Sequence, residues 1–413
     1  MEKKDILFLC QYFYPEYVSS ATLPYDTAKA LVKAGFSVSV LCGYPSEYNK
    51  NEDVPKKEIQ DGIEIKRLKY LHLKRSNFFG RLINYFSFTF SVFLRFFCLK
   101  KYKSIIVYSN PPVLPLIASL SSKFFKNKMI FVCYDVYPEI AYMTNSISES
   151  GFISKLMKVI NKITYKHVNK IVALSNEMKE YLLSHREKIE DKQIVVIPNW
   201  YEDNFKENIT KLDLGNNLFD FNYKNNLVVS YFGNLGICQD MNTMLGAIRK
   251  LKTEDEIKFM FAGHGSKMDQ LRKAIKEEHL NNVVVYDFLH NLDFQYALNI
   301  SDCFIVSLAE GLTGLAVPSK TYSYMMAGKP VIAIMDINSD ISRDLLENNA
   351  GYAIEVADVD KLVFCIKELK DNNSLRIEMG ININKVFKEK YTTKKCTYKY
   401  VEMMSEVLEG KDV

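Results

Sequence analysis

Apolar residues fall along this chain in short unbroken runs, separated by stretches where they recur every three or four positions. The runs at 5–10 (DILFLC), 36–42, 63–68, 104–108, 129–133, 170–174 and 194–197 predict strands. They are continuous rather than alternating, which suits a parallel sheet buried on both faces. Helical spacing fills most of the gaps, as at 22–33, which Gly35 closes. From 198 to 226 the chain turns polar and rich in Asn and Asp, with no strand signal, and this is the predicted linker. The alternation restarts at 227–232 and repeats at 257–262, 283–286, 303–307, 330–334 and 352–355. Strand and helix in turn, twice over, predict an α/β fold of two doubly wound units. Ligands of such sheets lie beyond the carboxyl ends of the strands, so two facing units would hold theirs in the cleft between them.

One stretch departs from this pattern. Residues 82–99 are nearly all apolar and long enough to raise the question of a membrane span. Arg81, Asn84, Ser87 or Ser91, and Arg95 recur on one helical stripe and argue against it. A cover helix of the first sheet and an interfacial amphipathic helix both remain, and one helix can serve as both. Residues 66–103 carry ten Lys/Arg, eleven aromatics and no Asp or Glu, on a chain of net charge +5. The rest therefore sums to −5. A basic, apolar segment on a faintly acidic protein suits an anionic membrane surface. Its long apolar core is a poor match for nucleic acid.

The 413 residues exceed one ordinary core, in line with two domains. The eight cysteines are scattered without a C-x-x-C and fit buried thiols in a reducing compartment. No secretory signal precedes the first strand, so the cytoplasm is expected. The six histidines show no metal-ligand spacing, and no metal site is expected.

Candidate chemistry gathers at the predicted strand ends. After the strand at 303–307 comes a loop with Glu310, Gly311, Thr313, Gly314 and Leu315, then a helix that Pro318 is expected to open. Lys320 in its first turn opposes the helix dipole unless an anion lies between them; a solvated lysine is the plain alternative. Gly233-Asn234-Leu235-Gly236, followed by Gln239, and Gly263-His264-Gly265 occupy equivalent strand–helix turns, where glycine lets backbone approach a ligand. Ser19 and Ser20 can cap a helix or offer N–H groups to an anion. Asp135 and Glu139 sit at a strand end, where acid/base or hydroxyl-binding roles compete with a structural one. Neither G-x-G-x-x-G nor a P-loop is present, which argues against NAD and ATP hydrolysis.

In their order and spacing several stretches resemble the family-4 retaining glycosyltransferases of the GT-B fold. They are Gln11-Tyr12-Phe13-Tyr14-Pro15-Glu16, Asp135-Val136-Tyr137-Pro138-Glu139, Leu174-Ser175-Asn176-Glu177-Met178, Val196-Ile197-Pro198-Asn199-Trp200, Gly233-Asn234-Leu235-Gly236 with Gln239, and Val317-Pro318-Ser319-Lys320 through Ala327-Gly328-Lys329-Pro330-Val331-Ile332-Ala333. Within that family they look most like the WbuB-like N-acetyl-L-fucosamine transferase branch, which serves bacterial O-antigen and capsule.

The resemblance implies two Rossmann-like domains facing each other across a cleft. Residues 1–201 would bind the acceptor and 202–391 the nucleotide sugar, with helix 392–413 packing back onto the first domain. It implies a UDP-sugar donor, no metal or other cofactor, a lipid-linked saccharide acceptor and a peripheral place on the inner membrane face. The backbone of Thr313, Gly314 and Leu315, with Ser319 and Lys320, would bind the diphosphate, and Gly233, Asn234 and Gln239 would line the same pocket. The base would lie near Gly263 and Leu289, and Ser19 and Ser20 beside the diphosphate and acceptor.

Two departures from the family pattern matter. Ser323 stands where relatives carry a second, ribose-binding glutamate, and Glu310, thirteen residues upstream, is the sole candidate for the first. Asn234 and Gln239 stand where relatives bring Arg and Lys, which leaves Lys320 more of the charge. Lys320, Glu310, Asp135 and Glu139 are thus the catalytic candidates, in a same-face transfer with no settled protein nucleophile. A nucleotide-sugar 2-epimerase and a non-catalytic membrane scaffold are the alternatives.

Overall fold

The computed structural model describes residues 3–45, 54–73, 78–214, 219, 221 and 223–410. Lys74 and Arg75 of the basic segment lie outside the described residues. The chain divides into two compact units. The first comprises Met1–Asn199, Gly314–Val317 and Thr393–Val413; the second comprises Trp200–Thr313 and Pro318–Thr392.

The first unit is built on β1 (Lys4–Leu9), β2 (Val38–Gly43), β3 (Lys57–Gln60), β4 (Ile63–Leu68), β5 (Tyr102–Tyr108), β6 (Lys128–Cys133), β7 (Lys170–Ala173) and β8 (Ile194–Val196). Their order is β3-β4-β2-β1-β5-β6-β7-β8, parallel except where β3 pairs antiparallel with β4. The edge strand β3 was not foreseen, since its sequence KEIQ is at most half-buried and lacks an apolar run. The central strands are almost wholly buried, with Ile6, Phe8 and Leu9 registered between Val38–Leu41 and Ser104–Val107. The chain winds outward from β1 in both directions, so β1 and β5 flank the topological switch point.

The helix expected at 22–33 begins earlier, at Ser19, with Val18 as an N-cap that supplies no side-chain bond. Ser19 and Ser20 are therefore first-turn residues and not caps. The C-terminal Thr393–Glu409 helix packs on this Ser19–Lys33 helix, and Lys170 reaches Glu406 at 2.8 Å.

The apolar 82–99 stretch forms the Phe78–Phe93 helix and a 3-10 turn at Phe96–Lys101. Its polar stripe points inward. Asn84 brackets the backbone of Leu73, accepting from the N–H at 2.8 Å and donating to the carbonyl at 2.9 Å. Ser87 accepts from Leu71 N–H at 3.0 Å, and Ser91 donates to Lys69 O at 2.8 Å. Phe88 and Val92 are buried, while Ile83, Phe86, Phe90, Phe93, Leu94 and Phe97 are exposed. Hydrogen bonding to the segment that follows β4 thus takes the polar face and leaves an apolar one outside. Among the described residues no helix is long and apolar enough to cross a membrane.

The second unit carries β9 (Leu227–Phe232), β10 (Ile257–Ala262), β11 (Val283–Tyr286), β12 (Cys303–Ser307), β13 (Val331–Ile334) and β14 (Gly351–Ile354). All pair in parallel, in the order β11-β10-β9-β12-β13-β14, with the switch point between β9 and β12. Asp240 caps the Met241–Lys250 helix, accepting from the N–H groups of Asn242 and Thr243 at 3.1 and 3.3 Å. The stretch read as a linker does not run free. Phe219 is fully buried against the rings of Tyr286 and Tyr296, at centroid distances of 5.1 and 5.0 Å, and Tyr223 hydrogen-bonds Tyr296 at 2.7 Å. Polar composition hid these anchors.

Candidate functional site

Two of the predicted elements meet at the switch point of the second unit. β9 ends in Tyr231-Phe232, with Gly233 next, and the start of the helix after β12 brings Lys320 to it. That helix is short, Thr321–Met326, and Pro318 precedes it by three residues instead of opening it. Lys320 is the N-cap residue. Its ammonium lies 4.7 Å from the centre of the Tyr231 ring and 3.3 Å from Asn234 O, an oxygen that also accepts from Tyr231 Oη at 2.9 Å. No carboxylate pairs with it among the described residues. Burial of the unpaired ammonium pulls its pKa down to about 8. A half-buried cation lacking its counter-charge is suited to a phosphate oxygen.

Tyr324, one helical turn beyond Lys320, clamps this arrangement. It accepts from Phe232 N–H at 2.6 Å, donates to Phe232 O at 2.9 Å, and stacks on Phe304 at 4.3 Å. Tyr231 and Tyr324 were not among the sequence candidates, because a tyrosine in an apolar run reads as core. Lys267 was also missed. Its ammonium donates to Gln239 O, which puts a second cation at the loop where Asn234 and Gln239 had replaced charge. Gln239 itself accepts from Gly236 N–H at 2.8 Å, bracing the loop.

The glycines of the site serve each other first. A Cβ on Gly263, at φ +137°, would sit 2.1 Å from Gly233 O, and one on Gly265, at φ +124°, 2.4 Å from Leu235 O. The two strand–helix turns therefore lie backbone against backbone, the reason glycine is required. Gly263→Ala is expected to destabilise the second unit by at least about 2 kcal/mol. Unchanged thermal unfolding of that variant would show the turns can separate at no cost.

Beside Gly263, the rings of His264, Phe288 and His290 form a cluster with centroid distances of 5.8 and 4.8 Å. Phe288 is partly exposed, whereas Leu289, the residue expected beside a base, is buried. Ser323 is buried and donates its hydroxyl to Lys320 O at 2.8 Å, which commits its one proton to its own helix. Ser319 and Thr313 are half-buried, and Glu310 is exposed in a turn with no ion pair among the described residues. Ser307, at the end of β12, is buried, and its hydroxyl has no partner among the described residues.

In the first unit, Asp135 and Glu139 part company. Glu139 accepts two bonds from Arg186, at 2.7 and 2.6 Å, and Arg186 also donates to Tyr137 O at 3.2 Å and lies over the Tyr165 ring. Both carboxylate oxygens are occupied in a nearly buried ion pair, so the geometry gives Glu139 an anchoring role and not an acid/base one. Asp135 keeps its carboxylate without a described partner, and burial pushes its pKa up to about 6. Its backbone bridges Ala316, and Val136 N–H donates to Leu315 O at 2.9 Å. That use of Leu315 O, with Gly314 packed against Glu177 O, ties the Gly314–Val317 segment into the first unit.

At the switch point of this sheet, Gln11 after β1 and Tyr108 and Asn110 at the end of β5 hold buried polar atoms with no partner among the described residues. Unsatisfied buried groups are uncommon and ask for an explanation; their position at the carboxyl ends of the strands is where a ligand is expected. Among the described residues no group of three His, Cys, Asp or Glu is placed to hold a metal ion.

The comparisons with known proteins agree with this arrangement. Residues 21–205 match the model of Glycosyltransferase Family 4, and 217–386 that of Glycosyl transferases group 1. A probable glycosyltransferase, WbjE of Pseudomonas aeruginosa, is 27% identical over 263 residues, which are 63% of this chain and 64% of that protein. The match thus spans slightly under two thirds of that relative. In fold, the chain is similar to Anabaena Alr3699/HepE, solved with UDP and glucose, at a TM-score of 0.71 and 15% identity over 97% of this chain and 99% of that one. It is also similar to WaaG, described as a glycosyltransferase involved in lipopolysaccharide biosynthesis, at a TM-score of 0.68 and 13% identity over 97% and 99%. With a family 4 domain followed by a group 1 domain on two Rossmann-like sheets, the chain belongs to the glycosyltransferases of GT-B type.

Proposed function

We propose that this protein transfers a sugar from a UDP-sugar to a polyprenyl-diphosphate-linked acceptor, with retention and without a metal, in building a bacterial surface polysaccharide. The donor sugar is an N-acetylated amino or deoxyamino sugar. The observation that carries the reading is Lys320, a half-buried ammonium at the switch point of the second unit with no carboxylate partner among the described residues. A nucleotide diphosphate supplies the missing charge. Solved neighbours that hold UDP or UDP-glucose support the nucleotide. The bacterial relative and the lipopolysaccharide enzyme support the setting.

In this reading the bond from the anomeric carbon to the diphosphate oxygen breaks, and its electron pair leaves with the diphosphate. Lys320 and nearby N–H groups stabilise that charge, with Lys267 as a second cation. The acceptor hydroxyl forms the new bond on the same face. Its proton passes to the departing phosphate. Gln11, Tyr108 and Asn110 offer hydrogen bonds to acceptor hydroxyls in the first unit. The exposed apolar face of residues 83–97 and the surrounding basic residues meet the anionic inner face of the membrane, where such an acceptor resides.

The test measures UDP release from a panel of UDP-N-acetylamino sugars, with and without a polyprenyl-diphosphate-linked saccharide. Release that requires the acceptor is the expected result. Conversion of the donor sugar without acceptor would instead identify an epimerase, and no turnover or binding with any donor would favour a scaffold.

A further inference from the structure

The apolar surface of the first unit does not end at the Phe78–Phe93 helix. Ring contacts run from Phe90 to Phe93, on to Phe96, and from there to Phe124 at the end of the Leu114–Phe125 helix, with centroid distances of 6.3–6.5 Å. That helix packs in turn against the Phe152–Lys166 helix, where Ser119 donates to Ile163 O at 2.9 Å. The Phe152–Lys166 helix buries Ser154, Ile160, Thr164 and Tyr165. On its other side Phe152, Leu156, Val159 and Ile163 follow one another at helical spacing, and all four are exposed, Phe152 by 79% and Val159 by 58%. Four exposed apolar side chains in one stripe are costly in water and ask for a cover.

Charge identifies the cover. Lys155, Lys158, Lys162 and Lys166 lie on the same helix, which has no acidic residue; Lys162 pairs with the exposed Glu187 at 3.1 Å. Residues 65–134 hold thirteen Lys/Arg and residues 150–176 five, with no Asp or Glu in either stretch. An apolar stripe among four lysines, only one of which has an ion pair among the described residues, through Glu187, is complementary to acyl chains beneath anionic headgroups.

We infer that the Phe152–Lys166 helix is a second lipid-contacting element, lying in the headgroup layer of an anionic bilayer with Phe152, Leu156, Val159 and Ile163 directed into it. The inference rests on the reading that the first unit meets a membrane through residues 66–103, and it adds an element that this segment does not contain.

The chain has one tryptophan, the buried Trp200, so Phe152→Trp introduces a distinguishable reporter. With vesicles of phosphatidylglycerol and brominated phosphatidylcholine, the emission of this variant is expected to shift to the blue and be quenched. In parallel, Phe152→Ser/Leu156→Ser/Val159→Ser should lower vesicle partitioning about tenfold or more while leaving stabilisation by UDP unchanged. If the vesicles sediment the protein but neither quench the introduced indole nor distinguish the triple variant, the helix is not a lipid contact, and the reading of 66–103 stands. Failure of the unaltered chain to bind vesicles at all would overturn both. If light scattering shows the chain to be a dimer that the triple variant dissociates, the stripe is a subunit interface and the inference is wrong.

Discussion

Lys320→Ala is expected to slow sugar transfer about 10²–10³-fold, the usual effect of removing one donor that stabilises charge developing in the transition state. The folded protein should not suffer. The ammonium sits over Tyr231 with no carboxylate partner among the described residues, and its depressed pKa of about 8 reports a desolvation cost carried in the absence of ligand. Removing it should leave thermal stability in the absence of ligand unchanged or slightly raised, while stabilisation by UDP is lost.

The same pKa gives a test by pH. Below about pH 8 the amine is charged before ligand arrives, and its full attraction is available. A phosphate holds the bound ammonium protonated to higher pH, so between about pH 8 and the bound-state value binding must take up a proton. Affinity for UDP should therefore fall by up to about tenfold per pH unit above 8. Lys320→Arg, charged throughout, should flatten that dependence; equal slopes in both proteins would detach Lys320 from the phosphate.

Glu139→Gln and Arg186→Met are expected to act in the opposite way, on stability first. The pair is bidentate, nearly buried and further held by Tyr137 O, so removing either partner leaves the other without compensation. Breaking such a pair costs about 3–5 kcal/mol. At about 2–4 °C per kcal/mol for a unit of this size, the melting temperature should drop by roughly 6–20 °C. The double variant Glu139→Leu/Arg186→Met should recover much of the loss, since no uncompensated charge remains. A Glu139→Gln protein that melts normally but fails in transfer would restore Glu139 to the catalytic candidates.

These contrasts show what sequence alone could reach. β9 and β10 appear at the expected 227–232 and 257–262, because runs such as LVVSYF and IKFMFA have no use except between two covered faces. The GT-B architecture followed from their alternation with helices and from motif order. Lys320, Gly233 and Asp135 could be read as candidates at strand ends. Their partners could not. Arg186 lies 47 residues from Glu139, and Tyr324 reaches backbone 92 residues away, distances over which no local period carries information.

The glycines at 263 and 265 were visible as special positions, but their reason, close approach to Gly233 and Leu235, is tertiary. Sequence left a choice open at residues 82–99. Amphipathicity shows that a helix has two faces, not which of them the protein takes. Here Asn84, Ser87 and Ser91 are spent on the backbone of residues 69–73, and the phenylalanines are left outside.

The central claim is that the second unit holds a nucleotide diphosphate at Lys320. Thermal unfolding of the purified protein with UDP, GDP, ADP and dTDP, with and without magnesium, tests it most directly. UDP at a hundred times its dissociation constant should add about 2.7 kcal/mol to stability, equally without magnesium, and the gain should vanish in Lys320→Ala. No stabilisation by any of the four nucleotides, or the same gain in the variant, would contradict the account.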